Sequence, residues 1–106
     1  MTEAIVWLMT LVDARTEAAR TGKPIVAVVS TENCTWCRKY ERILDSDTGK
    51  TLLAKYVPVK LRPGDVEPRI RAVPTTVMFD STGRRIASIE GCLSVEDLRR
   101  FLEKPR

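Results

Sequence analysis

Residues 24–40 read PIVAVVSTENCTWCRKY. Pro24 opens a continuous apolar, mostly β-branched run, Ile25-Val26-Ala27-Val28-Val29, in which neither alternating face is polar. That is the pattern of a strand covered on both sides. A polar loop follows, and then the period changes: Cys37, Tyr40 or Glu41, and Leu44 recur at helical spacing. The stretch therefore predicts a buried strand, a loop and a helix over residues 34–44, with Cys34 and Cys37 placed where the loop becomes the helix.

On the N-terminal side, Thr10-Leu11-Val12-Asp13 fits a capping box, and Gly22 then Pro24 supply a stop, which predicts a helix over residues 10–21. Residues 4–9 read as a short strand before it. On the C-terminal side, Ser46 and Asp47 cap a short helix through Leu52 and Leu53. Tyr56 to Leu61 is an apolar strand whose Pro58 belongs at its start or on a weakly paired edge, and Pro63-Gly64-Asp65 is a loop. Thr75 to Phe79 and Arg84 to Glu90 flank the turn Asp80-Ser81-Thr82-Gly83 and make a hairpin. In its second arm Arg85, Ala87 and Ile89 share one face, and Ile86, Ser88 and Glu90 the other. Ser94-Val95-Glu96-Asp97 is a second capping box, opening a helix with Val95, Leu98 and Leu102 in its apolar stripe. The order predicts an α/β fold in one domain spanning residues 1–106: a sheet with parallel strands first and an antiparallel hairpin last, flanked by helices.

Composition removes several function classes. The chain has 106 residues, 43% of them hydrophobic and 30% charged, ordinary for a domain with its own core. Three cysteines are too few for a disulfide-stapled secreted scaffold. No apolar run is long enough to cross a bilayer. The net charge of +4 comes from basic residues spread along the chain, with only 6% aromatics, which disfavours nucleic acid as a partner. The apolar opening Ala4 to Met9 follows Glu3 and makes a poor export signal, so the expectation is a cytoplasmic monomer if Met1 is native. A mature exported form with a new Met would read the same.

The Cys34–Cys37 pair admits three readings. A tetrahedral metal site needs four ligands; the pair gives two, Cys92 a third, and there is no histidine, so a carboxylate or a second subunit must complete it. An iron–sulfur cluster shared by two chains is a variant of this. An inert pair of small core residues is the second reading. The third is a reactive dithiol. With Asn33 as N-cap, Cys34 stands near the first helical position, where unsatisfied N–H groups and the macrodipole stabilise a thiolate. Cys37 lies on the same face and is less exposed, the arrangement of a nucleophile and a resolving thiol. Glu32 opposes thiolate formation, while Arg38 and Lys39 favour it.

The strand, the C-x-x-C at a helix start, Ile70-Arg71-Ala72-Val73-Pro74-Thr75 before the hairpin, and Gly91 with Leu93-Ser94 opening the last helix together resemble the thioredoxin superfamily over residues 10–103. The layout GKPI, CTWC, YVPVKL, VPT is most similar to small bacterial thioredoxin-like proteins. The resemblance implies a thioredoxin fold and a thiol–disulfide oxidoreductase that acts on protein disulfides, is recharged by a redox donor, and needs no cofactor or bound metal. It implies that Pro74 is a cis-proline facing the dithiol and that Val73 docks extended substrate as an added strand. It places the Gly91–Cys92 loop beside the groove, with Cys92 a modulating thiol or a small buried filler. Trp36 is a docking anchor or a ring folded on the surface.

Two positions depart from the family. The buried carboxylate six residues before the first cysteine is replaced by Val28, leaving its companion lysine as Lys60. The Gly-Pro between the cysteines is replaced by Thr35-Trp36, which alters the reduction potential. Other motifs fail: Gly49-Lys50-Thr51 lacks the earlier glycine of a phosphate loop, and a chain without histidine holds no histidine-based hydrolase triad. The glutathione-binding stretch of a glutaredoxin is missing too. The expectation is protein thiol–disulfide exchange at Cys34–Cys37. A dedicated electron shuttle or oxidant for one partner, and a metal-binding or redox-silent domain, are the alternatives.

Overall fold

A computed structural model describes residues 5–106. Its elements run α1 (Leu11–Thr21), β1 (Ile25–Val29), α2 (Thr35–Leu44), α3 (Asp47–Leu53), β2 (Val57–Leu61), a 3-10 turn (Pro63–Asp65), β3 (Thr75–Phe79), β4 (Arg85–Glu90) and α4 (Val95–Glu103). The sheet order is β2-β1-β3-β4. β1 pairs with β2 in parallel, in register Ile25↔Val57 through Val29↔Leu61, and with β3 antiparallel, Ile25↔Phe79 through Val29↔Thr75. β3 and β4 form the hairpin, with a register shift between Met78 and Phe79.

All five residues of β1 are buried, and the alternation sends them to two cores. Ile25, Ala27 and Val29 pack with Ala14 and Ala18 of α1, with Val57, Val59 and Leu61 of β2, and with Val66 and Ile70 from the connection after β2. Val26 and Val28 pack on the opposite face with Tyr40 and Leu44 of α2, Leu53 of α3, and Leu98, Phe101 and Leu102 of α4. One helix and an irregular connection thus cover one face, and three helices cover the other.

Local chemistry sets the element ends. Thr10, Ser46 and Ser94 each accept the N–H three residues on, at Asp13, Gly49 and Asp97, so each expected capping residue stands where the sequence places it. The hairpin turn is tied by the Asp80 carboxylate, which accepts the Thr82 hydroxyl and the N–H groups of Thr82 and Arg84. Pro58 lies inside β2, on the edge of the sheet. Its carbonyl accepts the Leu8 N–H at 3.0 Å and the Lys60 N–H donates outward to Leu8 at 2.9 Å, so the proline nitrogen faces the side where no full strand follows.

Three expectations are corrected. Residues 5–9 contribute only a single bridge, Leu8↔Val59, because this segment meets the β2 edge at one point; residue 4 lies outside the described residues. Pro63-Gly64-Asp65 winds into a 3-10 turn whose Asp65 carboxylate accepts the Arg62 N–H. β4 begins at Arg85, since Arg84 is held in the turn.

The α2–α3 junction needs a glycine for space. A Cβ at Gly49 would lie 2.6 Å from the Leu44 carbonyl oxygen and still closer to that of Ile43. Both are backbone atoms and cannot swing away. Gly49→Ala is expected to destabilise the fold by about 1–3 kcal/mol, as overpacking does, read as a lower denaturant midpoint. An unchanged midpoint would mean that the two helices do not meet this closely.

Candidate functional site

The registers bring distant segments to one end of the sheet. Val29 pairs with Leu61 on one side and Thr75 on the other, and Thr75 pairs with Glu90. Hence the loop after β1 (Ser30 to Asn33), the Val73–Pro74 step before β3, the Gly91–Cys92 step after β4 and the turn after β2 all emerge together. The Val73–Pro74 peptide is cis, as the resemblance implies, and so is Glu67–Pro68, which nothing in the sequence singles out. Pro74 is buried, and its carbonyl accepts the Gly91 N–H at 2.8 Å, joining the two loops. Gly91 has φ 108°, and a Cβ there would meet nothing within 4 Å; backbone conformation, not space, selects glycine. Val73 is half-buried against the α1-side core.

Cys34 is itself the N-cap of α2, a correction to the assignment of Asn33. Its φ and ψ are extended, and its Sγ accepts the Cys37 N–H at 3.1 Å, doing with sulfur what Thr10 and Ser46 do with oxygen. Cys34 and Cys37 are joined as a disulfide with Cα atoms 5.1 Å apart, within the span such a bond bridges. The two sulfurs are not equivalent: Cys34 is partly exposed, whereas Cys37 is 1% exposed. No carboxylate occupies the first turn of α2, so nothing there offsets the positive end of the helix macrodipole.

The charged neighbours have other occupations. Arg38 donates to Glu41 and to the carbonyls of Thr31 and Glu32, bracing the loop rather than standing free. The Glu32 carboxylate lies 4.0 Å from Arg62 and is fully in solvent reach. Lys39 sits 5.0 Å over the ring of Trp36, which is 60% exposed. Trp36 is therefore largely exposed, between the two cysteines of the disulfide.

On the α2-side face of the sheet, Val28 pairs laterally with Lys60 and Thr76, so no carboxylate stands at the position where the family often has one. Lys60 is half-buried, with Nζ 5.2 Å over the Trp7 ring. What the face does hold is a buried hydroxyl pair that sequence reading missed: Tyr40 and Thr76 oxygens are 2.7 Å apart. Burial, the main cause, pushes the Tyr40 phenol up to about 12, with the hydrogen bond to Thr76 acting against it and Cys92 adding to it. Cys92 is half-buried and packs against the same core. The signal available in sequence was only a threonine in the buried run Thr75 to Phe79, whose partner lies 36 positions away. Among the described residues no group of three or more Cys, Asp or Glu side chains converges to hold a metal ion, and no helix is long and apolar enough to cross a membrane.

Comparison with known proteins agrees with this geometry. The family profile of the thioredoxin-like domain matches residues 11–105. The fold is similar to that of a thioredoxin from Thermus thermophilus, with TM-score 0.80 and 17% identity, over 96% of this chain and 87% of that one. A disulphide isomerase from Xylella fastidiosa gives TM-score 0.72 and 23% identity, over 89% and 86%. The germline-specific thioredoxin Deadhead from Drosophila melanogaster gives 0.68 and 27%, over 94% and 98%. No curated protein matches the chain by sequence.

Removing the Tyr40 hydroxyl leaves Thr76 buried without its partner, so Tyr40→Phe is expected to cost about 1–3 kcal/mol. Adding Thr76→Val should cost less than the two single changes summed, which a double-mutant cycle in denaturant measures. The phenol also gives a pH signature. Its folded value, about 12, lies above the ordinary 10, so its contribution is complete below pH 10 and is lost as pH rises toward 12. Tyr40→Phe should remove that part of the alkaline decline; an identical decline in both proteins would show that the phenol is not held neutral by burial.

Proposed function

The chain belongs to the thioredoxin-like family, and within it we propose that Cys34 and Cys37 exchange a dithiol for disulfides of protein substrates. The observation that carries this reading is the asymmetric pair at the N-terminus of α2: a partly exposed sulfur receiving a backbone N–H, bonded to a buried one. The fold and the pair support thiol–disulfide exchange in general; the roles below are our assignment.

In the reducing direction, the Cys34 thiolate attacks one sulfur of a substrate disulfide. A Cys34–substrate bond forms, the substrate bond breaks, and the first substrate thiol leaves. Cys37 loses its proton and attacks Cys34 Sγ, expelling the second substrate thiol and leaving the Cys34–Cys37 disulfide. The substrate gains two electrons and the pair loses two; the oxidising direction is the reverse. The Cys37 N–H and the start of α2 stabilise the Cys34 thiolate both before attack and as a leaving group. With Val28 in place of the family's carboxylate, the Cys37 proton must leave by another route, and release of the mixed disulfide is the step this slows. The backbone of Val73, beside Pro74, receives the extended substrate, while Gly91 and Trp36 bound it on either side. Cys92 acts as a modulator at most. The exchange requires no bound group, and a separate thiol donor restores the dithiol.

Cys34→Ser is expected to drop dithiothreitol-driven insulin reduction to background, while Cys37→Ser accumulates a mixed disulfide visible by mass. Cys92→Ser should retain turnover. Full activity in Cys34→Ser would sink the assignment. The midpoint potential then gives the direction: near about −270 mV the pair is a reductant, and near about −120 to −180 mV an oxidant or isomerase.

A further inference from the structure

Three cations line the solvent side of α2, and they differ. Arg38 is paired with Glu41 at 3.0 Å. Lys39 and Arg42 form no ion pair among the described residues; Lys39 instead lies 5.0 Å over the Trp36 ring. Both line a pocket of about 510 Å³ between α2 and the start of α4, together with Ile43, Ser46 and Val95. Trp36, Lys39 and Ile43 fall three and four residues apart, so they share one stripe of the helix. The stripe starts between the two cysteines and runs away from them, apolar at Trp36, Ile43 and Val95 and positive along its length. The carboxylates that follow Val95 on α4 are engaged: Glu96 with Arg99 at 2.9 Å and Asp97 with Arg100 at 3.6 Å. The cleft on the other side of the disulfide loop is different in kind. There the three carboxylates of Glu32, Glu41 and Asp65 stand among the cations Arg38, Lys60, Arg62 and Arg69, so most of the positive charge is offset.

We propose that this Trp36–Lys39–Arg42–Val95 stripe docks the partner protein, selecting disulfides whose cysteine is followed by an acidic, extended segment. The inference rests on the exchange reading above and adds the substrate class. Charge complementarity identifies the occupant: two unpaired cations beside an exposed aromatic ring attract carboxylates, and apolar side chains of the same segment cover Trp36, Ile43 and Val95. Spacing places the carboxylates. With about 1.5 Å of rise per residue, Lys39 and Arg42 lie roughly 7 and 12 Å along α2 from Cys34. An extended chain covers about 3.3 Å per residue, so the carboxylates belong about two to four residues from the attacked cysteine. The lysine over Trp36 then links the two parts, holding the ring at the surface and the carboxylate above it.

The test uses two disulfide peptides identical except at the positions two to four residues after one cysteine, with Glu in one and Gln in the other. The wild-type chain is expected to reduce the Glu peptide about tenfold faster in kcat/KM at low salt. That ratio should fall toward one at about 0.2 M salt and in K39Q/R42Q. A ratio near one in the wild type, or a ratio that survives in K39Q/R42Q, overturns the docking stripe. Failure of the chemistry is separable. If neither peptide is reduced, the exchange reading falls, and fluorescence anisotropy of labelled peptides with Ser for Cys decides the stripe alone. Tighter, salt-sensitive binding of the Glu peptide that needs Lys39 and Arg42 upholds it; equal binding of both peptides overturns it.

Discussion

Everything in this fold depends on β1 being covered on both faces and paired on both edges. Five residues, none of them polar, bury one face against α1 and the other against α2 and α4, while β2 and β3 take up the backbone groups of its two edges. A strand so enclosed cannot slip by one residue, because a slip would exchange the side chains meant for two differently shaped cores. Its end is therefore a fixed point. The disulfide loop starts from it, and the strands in register with Val29 deliver Pro74 and Gly91 to the same end of the sheet. The site inherits its position from hydrophobic burial in which its own residues take little part.

The helix starts reuse one local device. Thr10, Ser46 and Ser94 cap their helices by accepting an N–H three residues on, and Cys34 does the same with sulfur. At Cys34 the capping atom is the sulfur to which we assign the exchange chemistry. The hydrogen bond that satisfies the Cys37 N–H would also favour negative charge on that sulfur in the proposed exchange, so one contact would serve both structure and reactivity. Cys37, one turn on, is buried by the packing of α2 on the sheet, which keeps the second sulfur away from solvent and next to the first.

Much of this was legible because it is local. The β-branched run from Ile25 to Val29, the caps at Thr10, Ser46 and Ser94, and the hairpin around Asp80 to Gly83 each follow from neighbours within a few residues. The reading went astray where the deciding partner was distant. Residues 5–9 carry a strand-like composition but find only one pairing position on the β2 edge, and the cap of α2 is Cys34, not Asn33, at the end of a loop whose Thr31 and Glu32 carbonyls accept from Arg38. The Tyr40–Thr76 hydroxyl pair was out of reach for the same reason: each residue is unremarked in its own segment, and only the packing of α2 over β3 makes them partners.

The sequence by itself determined the helices α1 to α4 and the strands β1 to β4, that the Cys34–Cys37 pair stands at a helix start, and that a Val-Pro step precedes the hairpin. These depend on side-chain period, capping chemistry and proline, which act over one or two turns of chain. The tertiary structure decided that Cys34 itself caps α2, how far Trp36 is exposed, and which cations are left unpaired. Those depend on which surfaces meet: the same α2 residue is silent or available according to whether a neighbour such as Glu41 has already taken its charge.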